Sequence, residues 1–104
     1  MDSVKKLKIS QAIIVEGHYD KMRLEECVDA LIVPTHGFSI FTDTKRTDFI
    51  RTLAARQGII ILTDSDAAGF KIRGFIKGLV PPGQVKDVFI PDVMGKEKRK
   101  IQPS

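Results

Sequence analysis

Ile59-Ile60-Ile61-Leu62-Thr63-Asp64-Ser65-Asp66 is the stretch whose reading decides the fold. Its apolar part is unbroken and mostly β-branched. It has no polar face, so it predicts a strand covered on both sides, as in a parallel sheet. Outward from it lie three more such runs. Ala12-Ile13-Ile14-Val15 stops abruptly at Glu16-Gly17, Ala30-Leu31-Ile32-Val33 is ended by Pro34, and Val85 to Ile90 is ended by Pro91.

The intervening segments carry helical spacing. Leu24, Cys27, Val28 and Leu31 recur at three- and four-residue steps, with Cys27 expected as a small buried hydrophobe. Thr44 or Thr47 is expected to cap a second helix, in which Ile50, Leu53 and Ala54 share a face before Gly58 ends it. Ile72, Phe75, Ile76 and Leu79 stripe a third, stopped by Pro81-Pro82-Gly83. Strand alternating with helix predicts a wound α/β fold, with about four mainly parallel strands and about three helices. Right-handed crossovers put those helices on both faces.

A length of 104 residues suits one core and is too short for two. No apolar stretch approaches the roughly 18 residues that cross a bilayer, and MDSVKKLKIS lacks the apolar region of a secretory signal. The expected location is cytoplasmic, with no membrane partner. One cysteine excludes an internal disulfide framework and a thiolate-rich zinc site. His18 and His36 are too far apart to suggest a metal site by themselves. Seventeen basic against thirteen acidic residues give a net charge of +4, which fits a phosphate-bearing partner. Residues 93–104 change character: Lys96-Glu97-Lys98-Arg99-Lys100 reads as a basic tail, either a solvated terminus or an arm that contacts phosphate.

In open α/β sheets, ligands bind beyond the carboxyl ends of the strands. Parallel strands bring Glu16, Asp64 and Asp66 to that edge, with Asp20 one helical turn past Glu16. Clustered carboxylates repel one another, and a divalent cation removes the penalty. Hard oxygen ligands with few protein contacts suit Mg²⁺, with Mn²⁺ as a substitute. Such an ion polarises a phosphoryl group, activates water or stabilises a leaving oxygen. Glu16 is either a general acid/base or another metal ligand. The plainer readings are an N-cap for Asp66 and a helix-dipole partner for Asp20. Gly17 and Gly69 sit beside the acids, where a missing Cβ lets phosphate approach, and Gly37 lies in a polar loop at the same edge. Lys71 and Arg73 lie in the early part of the third helix; Arg73 reads as a phosphate clamp or as surface solvation. There is no G-x-x-x-x-G-K-[ST] loop and no G-x-G-x-x-G turn, so neither a P-loop nor a dinucleotide site is supported.

Ile13-Ile14-Val15-Glu16-Gly17-His18-Tyr19-Asp20 resembles the first motif of the Toprim family, a hydrophobic strand followed by E-G-x-x-D. Leu62-Thr63-Asp64-Ser65-Asp66-Ala67-Ala68-Gly69-Phe70-Lys71-Ile72-Arg73 resembles the second, D-x-D followed by x-x-G-x-x-I-R. Thr35-His36-Gly37 stands where the family has a glycine-bearing loop, and His18-Tyr19 depart from its usual lysine and aspartate. The likeness covers roughly residues 10 to 92, and implies a Toprim catalytic domain over 1–92 with the tail beyond it. It implies a Rossmann-like fold, a glutamate general acid/base at Glu16 and a metal-binding pair at Asp64 and Asp66. Asp20 matches the extra aspartate of the ribonuclease branch that matures 5S ribosomal RNA, the branch most similar to T-D-S-D-A-A-G-F-K-I-R.

The activity so implied is metal-dependent cleavage of structured RNA, with a ribosomal protein as a further partner and a C-terminal domain outside this chain. Three other readings compete: a Toprim nuclease of DNA replication or repair, a non-catalytic nucleic-acid-binding module, and a phospho-accepting receiver domain. The last fits poorly with Glu16-Gly17 and the Asp64–Asp66 doublet. A topoisomerase is disfavoured because the single tyrosine, Tyr19, sits among the acids.

Overall fold

The computed structural model describes residues 6–64 and 66–89. Its elements in chain order are β1 (Leu7–Lys8), β2 (Ala12–Val15), α1 (His18–Glu25), β3 (Val28–Asp29), β4 (Ile32–Pro34), a 3-10 helix (Gly37–Thr42), α2 (Thr44–Gln57), β5 (Ile59–Thr63), α3 (Ala67–Lys77), a 3-10 turn (Pro82–Gln84) and β6 (Val85–Phe89). The strands β4-β2-β5-β6 form one sheet in that order, every pair parallel. The expected wound α/β architecture is therefore present. The basic tail lies outside the described residues, as does Ile90.

The unbroken apolar runs have a simple cause. In β2, alternate side chains enter two different cores, and all four residues are buried. Ala12 and Ile14 join Val33, Ile59 and Ile61 against Ile50, Leu53 and Ala54 of α2 and Ile72 and Ile76 of α3. Ile13 and Val15 join Ile32 on the other face, with Leu24 of α1 packed against them. Helices thus cover both faces, two on one side and one on the other. Each buried Ile contributes about 1.5–3 kcal/mol. In β5 the covering is uneven: Ile59, Ile61 and Thr63 are buried, while Ile60 and Leu62 are only partly so.

Three local expectations need correction. The helix ends at Glu25, so Cys27 lies in the following turn and is exposed rather than buried. Neither Thr44 nor Thr47 caps α2; Asp43 does, accepting from the Arg46 N–H at 3.0 Å. Thr47 is buried inside the helix, with its hydroxyl donating to the Thr44 carbonyl at 3.0 Å. The strand expected from Ala30 begins at Ile32, leaving Leu31 45% exposed. A two-residue parallel ladder, β1 with β3, was not foreseen.

Candidate active site

The carboxyl ends of β2, β4 and β5 deliver Glu16, Thr35 and Asp64 to one edge of the sheet. Glu16 is held there by its backbone. Its carbonyl accepts from the Thr35 hydroxyl and from the Gly37 N–H, each at 3.1 Å, and the Thr35 N–H donates to the Val15 carbonyl at 2.8 Å. Thr35 is fully buried, so this clamp excludes water. The acid that ends β2 therefore stands on a fixed base.

Its side chain is less well provided for. Oε2 of Glu16 is buried and has no hydrogen-bond partner among the described residues. Burial pushes its pKa above the ordinary 4.5, and the charges of Asp66, Asp64 and Asp20 push the same way. A hydrogen bond from the Asp64 backbone N–H opposes this without cancelling it. Asp66, Asp64 and Asp20 thus each lie within electrostatic reach of Glu16. A buried carboxylate oxygen with no donor is unfavourable by about 1–3 kcal/mol unless something else supplies positive charge.

Gly69 forms the floor of this cluster. It is buried, and a Cβ added there would overlap the Asp64 carbonyl oxygen and stand 3.1 Å from both Asp66 Oδ1 and Glu16 Oε2. Glycine is required by the closeness of three acidic residues, not by backbone angle. Gly37 differs: its φ of +67° is left-handed, as is the 62° of His36 before it. Gly17 is extended, and a Cβ on it would make only ordinary contact with Asp20 at 3.7 Å.

Two of the acids also have local duties. Asp66 caps α3, its Oδ1 accepting from the Gly69 N–H at 2.7 Å. Asp20 accepts from the Gly17 N–H at 3.1 Å and so closes the first turn of α1. These are the plainer roles expected for both, and they fix the carboxylates in place. Among the described residues no group of three or more His, Cys, Asp or Glu side chains is arranged to hold a metal ion unaided. The donor set nevertheless fits a hard cation: an orphaned buried oxygen, mutually repelling carboxylates and a glycine floor, where Mg²⁺ would draw its other ligands from water and phosphate.

Arg73 does not clamp a phosphate. It is 4% exposed, and its guanidinium donates to Asp87 Oδ1 at 2.8 Å, Thr63 Oγ1 at 2.7 Å and the Val88 carbonyl at 2.8 Å. Lys77 donates to the other oxygen of Asp87 at 2.6 Å. Although burial alone raises it, the Asp87 pKa is held below the ordinary 3.8 by the hydrogen bonds and charges of Lys77 and Arg73. Arg73 thus ties α3 to the ends of β5 and β6, directly behind Asp64. Lys71 is exposed early in α3.

Sequence reasoning missed Thr35, Thr63 and Asp87, all of which act from behind the acids. The only signal for them was a polar residue at or near each strand end. A cleft of about 400 Å³ opens at the opposite edge of the sheet, lined by Gln11, Arg56, Gln57, Gly58, Gly83 and Lys86, and holds none of the acids.

Comparison with known proteins covers the stretch that carries these residues. The Toprim domain profile matches residues 11–93. The chain is 40% identical over 94 residues to Ribonuclease M5 of Bacillus subtilis, spanning 90% of this chain and 48% of that protein. It is 41% identical over 88 residues to Ribonuclease M5 of Lactiplantibacillus plantarum, spanning 85% and 45%. With Ribonuclease M5 of Clostridium botulinum it shares 38% over 93 residues, spanning 89% and 49%. The chain spans about half the length of the curated relatives it matches.

Proposed function

The chain belongs to the Toprim domain family, and on that premise we propose that it is the catalytic part of a Mg²⁺-dependent ribonuclease acting on structured RNA such as a 5S ribosomal RNA precursor. The observation that carries this reading is the buried, partnerless Oε2 of Glu16 among three further carboxylates. Its surroundings suit chemistry on a phosphodiester.

Asp64 and Asp66 would hold the ion, with Asp20 beside them. When bound, Mg²⁺ supplies the positive charge that offsets these acids and polarises the phosphoryl group. Hydrolysis joins a water oxygen to phosphorus, breaks the bond to the leaving ribose oxygen and transfers a proton from the one to the other. Glu16 moves that proton at Oε2, accepting from the attacking water or donating to the departing oxygen. The Thr35 and Gly37 clamp on its carbonyl keeps the carboxylate aimed, and Arg73 keeps the end of β5 in register. Gly17 and Gly37 leave room for the RNA backbone, and Lys71 adds a cation at the rim.

RNA is preferred over DNA because the relatives that match nearly the whole of this chain carry the name Ribonuclease M5. A ribosomal RNA substrate places the activity in the cytoplasm, with a ribosomal protein as an accessory partner, and the basic tail is assigned to phosphate contact. The deciding experiment is incubation of the full chain with a 5S precursor and with a DNA duplex, in Mg²⁺ and in chelator. Site-specific, chelator-sensitive cutting of the RNA is expected. Cutting of DNA alone would move the protein to the replication and repair branch. Absence of cutting with Mg²⁺ still raising the melting temperature would make it a binding module.

A further inference from the structure

The 3-10 helix Gly37–Thr42 begins at the residue whose N–H holds the Glu16 carbonyl. In a 3-10 helix, side chains three apart eclipse one another. Here those side chains are Phe38 and Phe41, and their rings stack with centroids 5.4 Å apart and planes 15° from parallel. Phe41 in turn meets Phe75 edge-on at 4.9 Å, and Phe75 packs against the main core. Ile40, between them in sequence, is fully buried and pins the segment. The result is a rigid ledge running from core to surface.

The outer end of the ledge is uncovered. Phe38 is 51% exposed and Phe41 40%, although burying an aromatic ring is among the larger gains a side chain can make. Phe38 spends one face on Phe41, so its other face is open. Exposed cations stand on the elements that pack beside the ledge, Lys45 in the first turn of α2 and Lys71 early in α3, while Asp43, which follows the 3-10 helix in sequence, is engaged by Arg46. An apolar protein partner would gain nothing from those cations, whereas a stacked base brings its phosphate with it.

We propose that Phe38, backed by Phe41, is a stacking platform for an unpaired nucleobase of the RNA next to the phosphate presented to Glu16, Asp64 and Asp66. The proposal rests on the nuclease reading and narrows it, making the substrate class a structured RNA with an unstacked nucleotide beside the cleavage site. The geometry supports this on two counts. Stacking accepts any base, since every base offers a π-face, so the ledge positions the strand without reading its sequence. The ledge and the acids also share the Gly37-to-Glu16 hydrogen bond, so a base seated on Phe38 sets the strand relative to the acids.

The chain has no tryptophan, so Phe38→Trp creates a single reporter. Titrating that variant with a short single-stranded RNA should quench its fluorescence, and an abasic oligomer of equal length should not. In parallel, Phe38→Leu should weaken binding of the base-bearing RNA about tenfold and leave binding of the abasic oligomer unchanged. The melting temperature should stay within a degree or two, because the ring is half exposed. Equal quenching by both oligomers, or equal weakening of both by Phe38→Leu, would overturn the platform. Cleavage separates this from the nuclease reading. Intact cutting with an unchanged KM in Phe38→Leu sinks the ledge alone. Base-dependent quenching without any cutting sinks the nuclease reading and leaves the ledge standing.

Discussion

Two charges lie near the ends of neighbouring strands, Glu16 half-buried after β2 and Arg73 buried on α3 behind β5, and the protein treats them in opposite ways. Both terminal nitrogens of Arg73 are answered, by Asp87, Thr63 and the carbonyls of Val88 and Ile61. Glu16 is surrounded by carboxylates, and one of its oxygens has no partner among the described residues. Both charges are close to the sheet and both are shielded from water. Desolvation is unfavourable for each, but only Arg73 has the opposite charge that compensates it. A charge paired with its opposite holds structure together. One left among like charges marks a place where the fold gives up stability for an outside ligand.

The sharpest way to break this contrast is Glu16→Gln. Cleavage should fall about 10²- to 10⁴-fold, as removal of a general acid/base does, when followed by single-turnover assay. In chelator the same variant should melt higher than the parent. The sign follows from the raised pKa. The folded state holds a proton that the unfolded chain has released, so the parent loses stability as pH rises from about 4.5 through the raised value. The gap between variant and parent should therefore widen across that window and then level off. A variant that melts no higher at pH 8 would show that Glu16 is not held against like charge.

Arg73→Met tests the other side. It strands Asp87 beside Lys77 alone and should destabilise by about 3 kcal/mol in urea denaturation. Arg73→Lys should recover only part of this, since an ammonium cannot reproduce the forked contacts. Asp87, with its lowered pKa, contributes stability that is present above the ordinary 3.8 and lost as pH falls through the folded value. Asp87→Asn should therefore flatten the acid limb of the melting curve, and an unchanged limb would remove Asp87 from the network.

Asp66 both caps α3 and adds charge beside Glu16, and two substitutions divide these roles. Asp66→Asn keeps the cap on Gly69 and removes the charge, so melting should hold while cleavage is lost. Asp66→Ala removes both and should lower stability by about 1 kcal/mol. The smallest expected effect is at His36, whose left-handed φ is strained for a residue with a Cβ. His36→Gly should relieve that strain but give back chain entropy, for a net gain of roughly 0.5 kcal/mol by thermal melt. A clear loss instead would mean that the imidazole itself supports the turn into the aromatic ledge.

The four strands of the main sheet and the helices α2 and α3 were legible because double-sided burial leaves an unbroken apolar run and one-sided burial leaves a stripe, whereas α1 ends at Glu25 and holds only Leu24 of the stripe expected for it. Glu16, Asp64 and Asp66 were legible because a parallel sheet sends strand ends to one edge. What escaped had no periodicity to show it. The β1–β3 ladder is two residues long and joins exposed backbone, with Leu7 65% exposed. The 3-10 helix buries one residue between two exposed rings, which matches neither a strand nor an α-helix. Arg73 was misassigned because its partners come from β5 and β6: only the pairing of Ile61 with Asp87 brings the carboxylate to the guanidinium. Charge near an acid site in sequence says little about which way the side chain is spent.

The sheet's outer strands have a consequence for association. At one margin β4 is three residues long and ends in Pro34, which has no N–H to offer a newcomer. At the other, β6 runs for five residues, with Lys86 exposed and Asp87 locked to α3. Among the described residues, a strand added from outside would find its longer template at β6. Lys86 is the gatekeeper that makes such pairing selective, disfavouring stray edge-to-edge contact between copies.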